Sequence, residues 1–237
     1  LAFEQIDQSS HSYALIVHDW SQLQYVKHNN KTQRRQRTHQ YDTGYELQSS
    51  LLVDAASGLP VAPLAQTLSD ATGCYSTFTD DYSQRETHLN SLLHQIQHIE
   101  KSVVQKTLVH IIDREGDSIA HLRQMNHQGF KWLIRAKEGH RVEYQGQTYK
   151  VGEIAEKIET HSIKNISYKG NQHTLHVGET HIRITRAAKP KQKDSSGKRV
   201  APEQGDAVDA RLVVSVVKDR DGKIVARWCL LSNVAMD

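Results

Sequence analysis

Two aspartates, Asp19 and Asp113, stand where chemistry could be done. Each follows a short apolar run, Ser12 to Val17 (SYALIV) and Leu108 to Ile112 (LVHII). Such runs read as buried strands, which puts both carboxylates at expected strand ends. In a βββαβ order the first and fourth strands are parallel neighbours. The two side chains would then emerge together at the carboxyl edge of the sheet, where such folds place their sites. Hard carboxylate oxygens there suit Mg²⁺ or Mn²⁺. A metal pair about 3.5–4 Å apart would activate an attacking oxygen and stabilise a leaving one in phosphodiester chemistry. The competing reading is structural, because an aspartate after a strand is often a turn residue or a helix N-cap.

The elements that must position these residues are written in the hydrophobic periodicity. Tyr45, Leu47, Ser49, Leu51 and Val53 alternate and predict a second strand. After the turn chemistry of Asp54 to Gly58, Leu59 to Leu68 predicts a third, and Pro63 within it argues for a sheet edge. Between Asp81 and Glu100 the period becomes helical, with Leu89, Leu92, Leu93, Ile96 and Ile99 on one face. Ile119, Leu122 and Met125 mark a second helix stopped by Gly129, and Phe130 to Ala136 is a further strand. The order βββαβαβ is that of an RNase H-like core, an α/β fold with a mixed five-stranded sheet and flanking helices. Residues 1–137 are expected to form it.

Past Lys137 the texture changes to short strands punctuated by turns at Gln145-Gly146, Lys169-Gly170-Asn171 and Gly178-Glu179, with one short helix over Val151 to Ile158. Residues 138–210 therefore read as a β-rich insertion that includes a basic, flexible stretch from Ala187 to Gly205. Arg211 to Lys218 and Lys223 to Leu231 predict a hairpin around Asp221-Gly222, and residues 211–237 return to the core.

Charge points to the partner by its distribution, since the net value is only +3. Lys27 to His39 (KHNNKTQRRQRTH) and Arg186 to Arg199 (RAAKPKQKDSSGKR) concentrate cations without apolar residues for a core. They are solvated loops or phosphate-binding loops, with Arg34, Arg35 and Arg37 the candidate ligands. The two cysteines have no spacing partner, which argues against a zinc site or disulfide framework and for a reducing cytoplasm. Fifteen histidines are scattered without a metal-ligand pattern. No apolar run is long enough to span a membrane. With Leu1 in place of Met, the chain is expected to be an excerpt of a longer protein.

Asp113 to Asp117 reads DREGD, followed by a helix beginning SIAHL. This resembles the D-R-E-x-D block that carries the second catalytic aspartate of bacterial DDE transposases of the insertion-sequence-four group. Asp19, the phrase LLVDAASGLPVAPL, the strand FKWLIRAK and the block RWCLLSN (Arg227 to Asn233) follow the family's order along nearly the whole chain. The resemblance implies a polynucleotidyl transferase using Mg²⁺ or Mn²⁺ held by Asp19 and Asp113. Its partners would be the double-stranded DNA of transposon ends and target, with a homodimer in the synaptic complex of the full-length protein. Its compartment would be the bacterial cytoplasm.

The family's third carboxylate, a glutamate beyond the W-x-L-L block, has no counterpart before Asp237, so the triad is expected to be completed outside this chain. Glu115 and Asp117 are expected to cap the following helix or to bind Arg114. Arg114, Arg135 and Lys137 are expected at DNA phosphates or in surface ion pairs. The resemblance implies that Trp228 stacks on a base flipped out near the cut, and the alternative is core packing. Two rival functions stand beside this one. They are another RNase H-like nuclease, such as a junction resolvase, and a non-catalytic DNA-binding or assembly module derived from a transposase.

Overall fold

A computed structural model describes residues 2–7, 11–36, 42–79, 83–84, 87–102, 104–189, 197–198 and 200–235. The chain is a strand-rich mixed-sheet architecture with few helices. It divides into two compact units, Leu1–Ile111 and Ile112–Asp237. The division falls inside a strand, ahead of the change in sequence texture past Lys137. Among the described residues no helix is long and apolar enough to cross a membrane.

The first unit contains α1 (Ala2–Asp7), β1 (Tyr13–Gln24), β2 (Arg35–Gln36), β3 (Thr43–Asp54), β4 (Pro60–Ser69), β5 (Gly73–Ser76), β6 (Ser83–Gln84), α2 (His88–Ile99) and nearly all of β7 (Thr107–Ile112). The strands run in the order β7-β1-β3-β4-β5-β6, with β2 on β3. β1 pairs antiparallel with β3 from Ala14↔Asp54 to Gln24↔Gly44. The first strand is thus longer than SYALIV, and Asp19 lies within it, opposite Ser49, rather than at its end. Ladder hydrogen bonds to β3 carry the polar half, Trp20 to Gln24, which hydrophobicity alone does not mark as strand.

Pro63 sits opposite Leu51 at a register shift, in a stretch of β4 that β5 does not reach, because β5 pairs only with Thr67 to Ser69. A residue without a backbone N–H is tolerated there. Helix α2 begins at His88, later than the period predicts, where the Thr87 hydroxyl accepts from Asn90 N at 3.3 Å.

The inner face of this sheet changes character along β1. At one end Ala14, Ile16, Leu52, Ala65, Ile99 and Leu108 form an apolar cluster with Ile6. Beyond it the buried positions are polar: His18, Glu46, Gln48, Ser50, Thr67, Gln95 and His110. On β3 Tyr45, Leu47, Ser49 and Leu51 of the alternating set are only half-buried and Val53 alone of that set is buried, while Glu46, Gln48, Ser50 and Leu52 point inward.

The second unit contains the 3₁₀ turn Arg114–Gly116, α3 (Ile119–His127), β8 (Lys131–Arg135), β9 (Arg141–Tyr144), β10 (Gln147–Lys150), α4 (Val151–Ala155), β11 (His161–Tyr168), β12 (Asn171–Ile184), β13 (Val208–Lys218) and β14 (Ile224–Ser232). The order is β10-β9-β12-β13-β14-β8, with β11 on β12. β8 belongs here because Ile134 and Arg135 pair with Leu231 and Leu230.

Gln145-Gly146 and Lys169-Gly170 turn with positive φ at both residues, as two-residue hairpins demand. Gly178, expected at a turn, lies inside β12. A Cβ there would stand 2.1 Å from the Glu159 carbonyl oxygen, so the glycine serves a close approach of backbone to strand.

Candidate functional site

Asp113 opens the 3₁₀ turn in extended conformation, yet its side chain makes no capping hydrogen bond. The carboxylate is 57% exposed, and Arg135 Nη1 approaches its Oδ1 at 3.4 Å. The structural alternative, an N-cap, is therefore not what this side chain does. Gly116 lets the turn fold back, since a Cβ there would meet Ile112 Cγ2 at 2.7 Å. Arg114, Glu115 and Lys137 are exposed, and Arg135 is half-buried beside Asp113.

Asp117 differs from its expected role. Its side chain neither caps α3, whose N-cap is Ser118, nor pairs with Arg114, whose carbonyl receives only the Asp117 backbone N–H. Its side chain is fully buried, with Oδ1 accepting from Arg186 Nη2 at 2.6 Å and Oδ2 from Lys137 N at 2.6 Å. His140 Nδ1 lies 2.9 Å from Oδ2 but is poorly aligned for a ring N–H bond. Burial pushes this carboxyl's pKa up. The His140 contact, the Lys137 amide and the Arg186 charge outweigh burial and hold it below the usual carboxylate range. Arg186 opens the basic segment, and Arg123 on α3 donates to the carbonyls of Arg186, Gly205 and Asp206 at that segment's two ends.

Asp19 is exposed on the outer face of β1. Among the described residues its carboxylate has no hydrogen-bond or ion-pair partner. Beneath the strand, His18 is buried and donates or accepts at both ring nitrogens. Its Nδ1 is 2.7 Å from Ser50 Oγ and its Nε2 is 2.8 Å from His110 Nδ1. His110, wholly buried on β7, meets Glu100 Oε1 at 2.9 Å.

The candidate phosphate ligands of the first basic loop divide. Arg34 donates to the Tyr25 and Val26 carbonyls. Arg35 is 8% exposed and ion-paired with Glu46 at 3.3 Å, a pairing that occupies its guanidinium internally instead of presenting it to solvent. Arg37 lies outside the described residues. Trp228 is half-buried on β14, edge-on to Tyr168 with ring centroids 5.8 Å apart. Asn233, the last residue of its RWCLLSN block, is a structural clasp. Asn233 Oδ1 accepts from Trp132 N at 2.8 Å, and its Nδ2 donates to Asn126 Oδ1 and Phe130 O, each at 2.9 Å.

Asp19 and Asp113 each suit a hard cation in kind, being exposed carboxylates with no capping bond, although Asp113 is paired with Arg135 at 3.4 Å. Among the described residues no group of three or more His, Cys, Asp or Glu side chains could hold a metal ion. Cys229 is no nucleophile, because burial pushes its thiol up to about 11.

The residues that sequence reasoning passed over are His18, His110, Glu100 and the hub role of Asp117. One signal was present. A histidine interrupting an apolar strand, as His110 does, must find a partner when buried. The chain matches no protein-family model and no curated protein.

Proposed function

We propose that this chain is the catalytic domain of a DDE-type transposase, a divalent-metal-dependent enzyme that cleaves and joins DNA ends on an RNase H-like core. One observation carries the reading: Asp113 stands at the head of the DREGD turn with an exposed carboxylate that does not cap it. A side chain at that position with no capping duty is available for a ligand. Asp19, on β1 of the first unit, is likewise an exposed carboxylate.

In this reading Asp19 and Asp113 hold Mg²⁺ or Mn²⁺. The ion supplies activation of the attacking oxygen and charge stabilisation at the leaving one. Arg135 lies against Asp113 and can shift from that carboxylate to a DNA phosphate, while the exposed Arg114 and Lys137 add positive charge beside it. Water and the 3′-hydroxyl are the nucleophiles, so no protein side chain needs to bond to DNA.

Calorimetric titration with Mn²⁺ of the wild-type chain against Asp113→Asn tests the reading. Removing one ligand from a site completed mostly by water is expected to abolish measurable binding. Equal affinity in the two proteins refutes the metal assignment. In that case DNA binding that survives without metal favours the non-catalytic module.

A further inference from the structure

We propose that His110 and Glu100 are positioning residues for Asp19, acting through a one-way hydrogen-bond relay beneath β1. The proposal rests on the reading of Asp19 as a metal ligand. The relay crosses α2, β1, β3, β4 and β7 of the first unit, and its direction follows from its end groups when both rings are neutral.

The Glu100 carboxylate only accepts, so His110 Nε2, 2.9 Å away, carries the proton. With the ring neutral, His110 Nδ1 is bare and must accept from His18 Nε2 at 2.8 Å. His18 Nδ1 is then bare in turn and accepts the Ser50 hydroxyl proton at 2.7 Å. Ser50 Oγ accepts from Gln95 Nε2 at 2.6 Å, and the other proton of that amide goes to the Ala65 carbonyl at 2.7 Å. Gln95 Oε1 accepts from Thr67 Oγ1 at 3.2 Å. Every step is satisfied by one tautomer of each ring, the Nε2–H form. Reversing any single step would oppose two donors or two acceptors in a buried site.

The geometry explains what such a relay is for. Successive side chains of a strand point to opposite faces. His18 is thus the inward anchor immediately before the outward Asp19. His18 is held laterally on both sides, by Ser50 of β3 and by His110 of β7, and these bonds restrain strand β1 where Asp19 leaves it. The side-chain bonds add to the backbone ladder that already pairs His18 with Ser50 and Asp19 with Ser49. Glu100, 26% exposed in its side chain, ends the relay near solvent.

The test uses the full chain and Mn²⁺ as the probe. His110→Phe keeps ring volume but removes both relay nitrogens. It is expected to weaken Mn²⁺ binding about tenfold, the lower end of what loss of an outer partner costs a metal site. Glu100→Gln, whose amide oxygen can still accept the His110 proton, is expected to bind within about twofold of wild type, and Glu100→Leu is not. Long-range ¹H–¹⁵N correlation spectra are expected to show His18 and His110 as neutral Nε2–H tautomers. If His110→Phe does not fold, Glu100→Leu carries the affinity comparison.

Wild-type Mn²⁺ affinity in the relay variants, with binding lost in Asp19→Asn, overturns the positioning role and leaves the metal reading standing. An Nδ1–H or doubly protonated ring at neutral pH overturns the relay itself. Unchanged Mn²⁺ affinity in Asp19→Asn overturns the metal reading and the proposal with it.

Discussion

Replacing Asp117 by asparagine removes one charge from a fully buried carboxylate and leaves its size unchanged. The structure gives the scale of the effect. Oδ1 loses its attraction for Arg186 at 2.6 Å, and on Oδ2 the asparagine must present either an oxygen to Lys137 N or a clashing NH₂. Breaking a buried ion pair by removing one partner costs about 3–5 kcal/mol, because the other charge is left uncompensated. Arg186 is 20% exposed in its side chain and can recover some hydration, so the expected loss is about 2–4 kcal/mol. For a chain of this size that is roughly 5–15 °C in Tm.

Trp132 and Trp228 both lie in the second unit, and in a Trp20→Phe background their fluorescence follows that unit through denaturant unfolding. The pH dependence has a definite sign. The folded pKa of Asp117 is depressed, so its contribution is present above the unfolded value near 3.9 and is lost as pH falls through the folded one. Wild type is therefore expected to lose stability below about pH 4 more steeply than Asp117→Asn. A loss under about 1 kcal/mol, or parallel acid profiles for the two proteins, refutes the reasoning.

Arg35→Gln is expected to lower stability by about 3 kcal/mol through loss of the buried pair with Glu46, and to leave the salt dependence of DNA binding unchanged. A salt slope reduced by about one unit would instead put this guanidinium on a phosphate. Gly178→Ala is expected to cost more than about 3 kcal/mol, since its Cβ has no room, whereas Gly170→Ala meets nothing within 4 Å and costs about 1 kcal/mol for its positive φ. Thermal unfolding of the two variants side by side checks the order. A double-mutant cycle between Trp228 and Tyr168 is expected to return about 0.5–1.5 kcal/mol for their edge-to-face contact. Quenching of Trp228 by a DNA hairpin end with an unpaired base would show that its ring also meets a base, and normal binding of that DNA by Trp228→Phe, with Trp228→Ala unfolded, would assign it to the core.

Local chemistry was legible in the sequence wherever a residue answers to its own backbone. The hairpins at Gln145-Gly146, Lys169-Gly170 and Asp221-Gly222, the stop at Gly129 and the period-2 and period-3.6 runs all took their expected forms, because φ preference and side-chain alternation act within a few residues. What the tertiary structure alone decided is which polar groups meet. His18 meets His110 across 92 positions of sequence, and Asp117 meets Arg186 across 69. Nothing local encodes those distances.

The same limit explains the inner face of β3, where a strand was predicted correctly but its buried side is polar. Alternating apolar residues normally mark the core, yet here Gln95 and His18 supply partners that make burial of Ser50 tolerable, while Arg35 and His88 do so for Glu46. Gly178 follows suit, a turn former by type that was made a strand residue by the backbone of Glu159. Sequence marked most of the places where the chain extends, coils and turns, but not the polar half of β1 or the strand position of Gly178. The long-range hydrogen bonds and close approaches, which only the folded chain contains, determined what each buried polar residue is for.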